Sequence, residues 1–528
     1  MKAVCMNAPL AAQGKLASLK SSKVVFRLVG PVVATLSIAI YAIVVSLFVV
    51  PSNVDVSWLL TVGDRVLDGE RLYVDIAEGN PPFSTWLYLP FLAMERLTGL
   101  SAEFWVSVGV AALAAASVCF SARILARTDE VLKRCVWIIP AAVFVVLFLF
   151  PPDFGQREQI AVIALLPWLA LLSARDRTVD FRTGSTAERI VAGVGAGIFV
   201  MIKPPYSVLA LALPALVIAL QRRSLRPLFT TESVVGGILT VAYLIALAVF
   251  MQPFFAEVLP LLRQVYLPMR MPVMDMLMLW PIPMFAAMAG ATLVMAYPGR
   301  PHRDAQILLL AGAAYVPAFV IMGKGWTYQA LPFLTVGVLA LMLQSIRLKP
   351  LRSLPPPSIF GAALGLFSIL ELVVLQQGLA FTQPRGDLDA AAVAVSRAID
   401  HPTFMSIGSR LQAGNPLARM TGARVVARNP SAWMVNDARI LVGLAQDPAQ
   451  RLDLETLRRQ YTAAIAGELA AKRPDIVVDD GTAEPRAPIP PIPLRDNIAI
   501  AKTLADYRPL LQNGSVTLLI RADVKARQ

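Results

Sequence analysis

The stretch VFRLVGPVVATLSIAIYAIVVSLFVV, residues 25–50, decides the fold. Its only charge is Arg27, close to its start. A helix that crosses a bilayer needs roughly 20 consecutive apolar residues, and this stretch supplies them. It lies behind a basic segment carrying Lys2, Lys15, Lys20 and Lys23. A cleaved signal peptide has an apolar core of about 7–15 residues and a small-residue cleavage site after it. Here the block is longer, and Pro51 comes directly after it. The stretch therefore reads as a retained first span, with residues 1–24 in the cytoplasm.

Composition carries the same message over the whole chain. Of 528 residues, 56% are hydrophobic and 16% charged, against about 45–50% and 25% in soluble domains. Mean hydropathy is +0.62. The excess lies in blocks, which excludes a soluble enzyme, a secreted disulfide scaffold and a disordered chain. The net charge of +13 would suggest a nucleic-acid partner in a soluble protein. In a membrane protein Lys and Arg collect in cytoplasmic loops, so no nucleic acid is expected. Cys5, Cys119 and Cys135 show neither metal-ligand spacing nor a disulfide framework. With only His302 and His401, a histidine-rich metal site is not expected.

Loop charge sets the topology. Further spans are expected near 102–122, 135–151, 157–174, 189–204, 206–221, 233–252, 274–296, 305–322, 330–346 and 358–376, about eleven in all by the length criterion. The apolar piece 83–97 is assigned to an outer interfacial helix. Counting it as a span would put Arg123, Arg127, Lys133 and Arg134 outside. With this frame about 21 Lys/Arg fall inside and about 8 outside, as the positive-inside rule requires. The break at 203–206 is the weakest boundary. The odd number of spans puts residues 377–528 outside. That tail has ordinary charge, β-type runs at 476–479 and 515–520, and helix-like pieces near 387–399, 447–470 and 496–506. At about 150 residues it can bury its own core. The expected architecture is an α-helical polytopic membrane protein: domain 25–376 with an outer loop 51–101, then an α/β extracytoplasmic domain.

In this frame the unusual polar residues gather on the outer side. The loop after the first span supplies Asp55, Asp64, Arg65, Asp68, Asp75 and Glu78. The turn PPDFGQREQ, residues 151–159, holds Gln156 and Arg157. Lys203 and Tyr206 sit in KPPY, and Lys324, Trp326 and Tyr328 in GKGWTYQ. Charges near membrane depth are costly and usually face a cavity or a partner. An acidic loop and three cationic junctions imply an outward cavity with an acidic and a basic side. Each residue also has a plain structural reading. Asp55 is equally suited to capping a helix that starts near Ser57. Asp64, Arg65 and Asp68 fit a solvated helix face better than a site. Lys203 and Lys324 are each long enough to snorkel to the interface. Trp326 and Tyr328 also suit an interfacial aromatic belt.

Residues 55–82, DVSWLLTVGDRVLDGERLYVDIAEGNPP, resemble the first outer loop of the GT-C glycosyltransferase superfamily. The loop is similar to those of protein O-mannosyltransferases and lipid A aminoarabinose transferases. The shared frame is an Asp just past the first span, a Gly…Tyr-x-Asp…Pro-Pro segment and an apolar helix. The later turns extend the resemblance over about residues 1–376. The resemblance implies transfer of a sugar from a polyprenyl-phosphate donor to a lipid, glycan or protein hydroxyl, with inversion. A hydroxyl nucleophile needs a carboxylate base, and a leaving phosphate needs cations. Asp55 matches the family's catalytic Asp; Glu78 and then Asp75 rank after it as helpers. Lys203, Arg157 and Lys324 are the donor-phosphate candidates. Trp326, Tyr328, Tyr206 and Gln156 are candidates for the substrate groove. Asp55 is not followed by Glu and no extra lumenal repeats are present, which departs from the mannosyltransferases proper. Some relatives use a divalent metal, Mg or Mn, and one Asp with one Glu leaves that open. The resemblance places the chain in a bacterial inner membrane with its active face in the periplasm. The alternative is a polytopic transporter or lipid flippase, which would hold its charges near the bilayer midplane at a repeat interface.

Overall fold

The computed structural model describes residues 10–149, 151–178, 183–203, 207–349, 353–382, 386–412, 414–481, 493–514 and 516–524, with side chains from residue 29 onward except 52 and 376–387. The first half runs α1 (Leu10–Val49), α2 (Val54–Leu67), α3 (Phe83–Trp86), α4 (Leu89–Thr98), α5 (Ala102–Ala126), α6 (Glu130–Arg134), α7 (Ile138–Phe148), α8 (Arg157–Thr178) and α9 (Thr186–Ile202). It continues with α10 (Val208–Gln221), α11 (Thr231–Phe250), α12 (Leu259–Leu261), α13 (Val273–Met278), α14 (Pro281–Met295), α15 (Arg303–Met322), α16 (Leu331–Ser345) and α17 (Pro356–Thr382). Among the described residues seven helices are long and apolar enough to cross a membrane: Val29–Val49, α5, α8, α11, α15, Thr327–Ser345 and Pro356–Leu375. Shorter apolar helices lie at α7, α10 and α14. Each of the eleven stretches read as spans carries a helix, but length and composition single out seven.

Helix α8 is the axis of the bundle. It is apolar on all sides through its middle, and its residues are buried from Arg157 to Arg175, as a helix without a polar face requires. Helices α5, α9, α15 and α16 pack around it. At Gly195 on α9 a Cβ would sit 2.1 Å from the Ala164 carbonyl oxygen. Only glycine permits that backbone approach, the small-residue packing typical of helices in membranes. The piece 83–97 is two helices, α3 and α4, with the break falling just before Pro90, which cannot continue a preceding helix.

The C-terminal part adds α18 (Gly386–Ala398), β1 (Thr403–Ser406), α19 (Asn415–Met420), β2 (Arg424–Val425), α20 (Trp433–Leu444), α21 (Pro448–Lys472), β3 (Ile476–Asp480), α22 (Ile498–Leu504), β4 (Tyr507–Asn513) and β5 (Val516–Arg521). The five strands form one sheet in the order β2-β1-β3-β5-β4. Strand β1 pairs parallel with both β2 and β3, and β5 runs antiparallel to β3 and β4. Alternation along β3 sends Ile476 and Val478 to a cluster with α18 and α19, and Val477 to one with α20, α21 and α22. The sheet is thus sandwiched between helices on both faces. The strands β1 and β2 are too short, and β4 too polar, to stand out as β-type runs.

Polar contacts fix this unit on the helical part. Arg65 donates to the Ala427 carbonyl at 2.7 Å. Arg419 pairs with Glu103 at 2.5 Å. Arg428 pairs with Glu257 at 2.6 Å, and the Ala77 amide donates to the Arg428 carbonyl at 2.8 Å. These polar anchors lie within residues 419–428, and apolar contacts add to them: Leu411 packs against Trp58, Val62 and Ile76, and Leu441, Ala445 and Leu454 against Val265.

Candidate active site

The site begins at the start of α2. Asn53, not Asp55, caps that helix: its Oδ1 accepts the Val56 amide at 3.1 Å. The capping alternative for Asp55 is thereby corrected. Asp55 sits in the first turn, half-buried, where the positive end of the helix dipole faces a negative side chain. Its Oδ2 accepts from Gln156 Nε2 at 3.2 Å. The same amide nitrogen donates to Asn53 Oδ1 at 3.1 Å. One glutamine therefore fixes both the cap and the carboxylate.

Gln156 is aimed by a tight turn between α7 and α8. Gly155 has φ +81, and a Cβ there would meet Val106 Cγ1 at 2.8 Å. The Tyr88 hydroxyl donates to the Gly155 carbonyl at 2.7 Å, and the Gly155 amide donates to Gln159 Oε1 at 2.8 Å. Helix α8 then opens with Arg157 and Glu158 side by side. Arg157 is 3% exposed. Its Nη1 donates to Ser84 Oγ at 3.1 Å, and its Nε has no hydrogen-bond partner among the described residues. No described carboxylate forms an ion pair with it. Burying a guanidinium costs several kcal/mol unless it is paired. Glu158, fully buried, forms its ion pair with Lys203.

The other candidates have partners of their own. The Lys324 ammonium donates to the carbonyls of Tyr266 at 2.7 Å and Met269 at 2.9 Å, and lies 3.8 Å from the centre of the Tyr266 ring. Trp326 stacks on Tyr328, with ring centres 5.8 Å apart, and Lys203 sits 5.6 Å from the Tyr328 ring centre. Glu78 is 2% exposed and spends its carboxylate on Trp58 Nε1 and on the Asn80 amide and side chain. Burial pushes its carboxyl above the ordinary range, partly offset by those donors. Asp75 is held by Arg71 at 3.0 Å on the outside of the loop, and that contact lowers its carboxyl to about 2. Tyr206 lies outside the described residues.

Asp55, Glu78, Gln156, Arg157, Lys203, Lys324, Trp326 and Tyr328 all line one cavity of about 2610 Å³, and Asp75 does not. Three lining features escaped the sequence reading. Asp153, in the same turn as Gln156, is raised to about 8 by burial and by the neighbouring carboxylates of Asp55 and Glu158. The segment 254–272 wraps the cavity with apolar side chains such as Phe254, Leu262 and Met269. The α/β unit supplies a further wall, including Arg410, Asn429 and Trp433. Only the first left a signal: an acid in a Pro-Pro-Asp turn just ahead of an Arg-Glu pair.

Among the described residues one group of carboxylate and imidazole atoms has metal-like spacing, Asp129, His302 and Asp304. It belongs to the other end of α8. Arg177 pairs with Asp129 at 2.9 Å, and Arg347 with Asp304 at 3.0 Å. Two guanidiniums already neutralise these acids, so the donor set does not fit a divalent cation. Asp55 and Glu78 do not converge with a third described ligand into such a group.

No protein-family model matches the chain, and no curated protein matches it in sequence. Solved structures do match. The lipid A aminoarabinose transferase ArnT from Cupriavidus metallidurans, bound to undecaprenyl phosphate, superposes with a TM-score of 0.55 at 13% identity. That match covers 94% of this chain and 99% of ArnT. The apo state of ArnT gives 0.56 at 14%, over 95% and 100%. The chain thus shares the fold of ArnT over nearly all of its length.

Proposed function

We propose that this chain is a membrane glycosyltransferase that moves a sugar from a polyprenyl-phosphate donor to a hydroxyl acceptor, with inversion, on the outer side of the membrane. The observation that carries the reading is Arg157, a buried guanidinium without a described carboxylate partner, facing the same cavity as Asp55. An anion completes such a site at little cost. The undecaprenyl phosphate of ArnT, on the same fold, is an anion of the right kind.

In this reading the acceptor oxygen attacks the anomeric carbon and Asp55 takes its proton. The bond from that carbon to the phosphate oxygen breaks, and the polyprenyl phosphate leaves with the electron pair. Gln156 holds one carboxylate oxygen of Asp55 and leaves the other to face the acceptor. Arg157 meets the charge that develops on the leaving phosphate, where fixed donors are most effective. Lys203 acts through its pair with Glu158, and Lys324 is braced by two carbonyls, so both shape the cationic side. Trp326, Tyr328 and the apolar 254–272 segment line a path for sugar and lipid. Glu78 ties the loop to α2 through Trp58. Residues 1–24 are then cytoplasmic, 25–376 form the transmembrane domain with loop 51–101 outside, and 377–528 are periplasmic in a bacterial inner membrane.

The test is undecaprenyl phosphate binding to the purified full chain, measured by native mass spectrometry. Binding that a neutral polyprenol does not displace supports the reading. A chain that retains no undecaprenyl phosphate sinks it.

A further inference from the structure

The α/β unit has a feature that donor chemistry leaves unused. In the order β2-β1-β3 the chain leaves β1 to one side and returns to the other, so β1 and β3 flank a topological switch point. Open α/β sheets bind ligands in the crevice beyond the carboxyl ends of the strands at such a point. Here that crevice has a volume of about 190 Å³ and is lined by residues including Ser409, Asn436, Thr462 and Asp480. Ser409 and Asn436 also line the large cavity that holds Asp55. The two spaces share a rim.

Buried polar atoms without partners concentrate at this rim. Among the described residues Ser409 Oγ, Asn429 Oδ1 and Asn436 Oδ1 accept or donate no hydrogen bond, and all three residues line the large cavity. Asn429 and Asn436 are each 8% exposed. Native interiors satisfy nearly all such groups, so a group of them in one place points to a missing partner. The atoms are neutral hydroxyl and amide oxygens. Beside them Arg410 and Asp480 pair with one another at 3.0 Å, which cancels their charge. The half-buried Trp433 presents its ring nearby, edge-on to Tyr266 at 6.0 Å between ring centres. Neutral donors and acceptors with an aromatic plane suit a ligand that is rich in hydroxyls and has apolar C–H faces. Behind the rim the crevice is lined by charges of both signs, Arg439 and Arg458 with Asp479 and Asp496, a mixture that selects neither a phosphate nor a cation and whose donors and acceptors also hold hydroxyls.

We infer that the crevice and the rim formed by Ser409, Asn429 and Asn436 bind the carbohydrate part of the acceptor, so that the acceptor is a glycan or glycolipid. This rests on the glycosyl-transfer reading above and deepens it. The α/β unit holds the sugar, and one of its hydroxyls reaches Asp55 across the shared cavity.

The experiment uses the full chain in lipid nanodiscs without donor, applied to an array of immobilised oligosaccharides and, as controls, peptides. Wild type should retain at least one oligosaccharide class. Ser409→Ala and Asn436→Leu should each weaken that binding about three- to tenfold, the loss expected for one neutral hydrogen bond. Undecaprenyl phosphate binding should stay unchanged in both, which shows that they fold. Binding to peptides alone, no oligosaccharide binding, or oligosaccharide binding indifferent to both substitutions would overturn the inference. Oligosaccharide binding without undecaprenyl phosphate binding would instead sink glycosyl transfer and leave the crevice standing.

Discussion

Helix α8 carries buried arginines at both ends, and the two ends treat them differently. At its end, Arg175 donates to Glu232 with both terminal nitrogens, one at 2.8 Å, and Arg177 pairs with Asp129 and Asp304. Arg222 and Arg303 pair with Asp176 beside them. Each of these cations meets a carboxylate, and the cluster clamps the loops that join α5, α8, α11, α15 and α16. At its start, about 30 Å away by the helical rise, Arg157 donates to Ser84 and, although it feels the charges of Glu158 and Asp55, forms no ion pair among the described residues. In the reading proposed above, that difference leaves Arg157 for the donor phosphate.

The contrast can be broken experimentally. The largest effect should come from Asp55→Asn. Removing a general base should lower turnover by about 10²–10⁴-fold. It should leave undecaprenyl phosphate binding intact. The check is restoration of the envelope glycan or lipid that a deletion strain loses; full restoration by the variant would exclude Asp55 as the base. Next, Arg175→Ala strands Glu232 in the interior and should cost about 3–5 kcal/mol of stability, read as a lower melting temperature. Arg157→Gln should do the reverse. It breaks no ion pair, so the melting temperature should hardly move. Undecaprenyl phosphate affinity should fall by about 1.5–3 kcal/mol, the worth of a charged hydrogen bond. If Arg157→Gln destabilises as much as Arg175→Ala, the two ends do not differ.

The smallest effect concerns pH. Asp153 is raised from its ordinary 3.8 to about 8. Between those values the folded chain keeps a proton that the unfolded chain has lost, so stability falls as pH rises across that window. Above about pH 8 both states are ionised and the loss is complete. Asp153→Asn should flatten this part of the melting-temperature profile, by a modest amount because the half-buried group borders the cavity, where solvent screens it. An unchanged profile would show that burial and the charges of Asp55 and Glu158 do not raise it.

The first loop shows how far residue pattern reaches. The Asp55 frame, the FGQRE turn and GKGWTYQ were each legible as departures from apolar helix, because a charge at a helix end in a membrane protein needs a reason. Their meeting in one cavity depended on where separate helix ends converge. Lys203 and Arg157 looked alike in the chain, both cations at breaks beside apolar helices. Packing alone made Lys203 the partner of Glu158 and left Arg157 open. Likewise Asp55 suited a cap by residue type, and the start of the helix gave that role to Asn53 instead. In the C-terminal unit the long helix and the apolar strand β3 were readable, whereas the four-residue β1 and the two-residue β2 were not. Strands so short are held by their neighbours rather than by their own composition.

By itself the sequence determined a membrane-spanning helical chain, because apolar runs of bilayer length have no other stable solution, and it determined which few charges were out of place. Tertiary structure decided which of those charges are neutralised. It also decided that the α/β unit closes over the cavity with a polar rim. Pairing and enclosure depend on distances between segments far apart in the chain, and no local pattern encodes them.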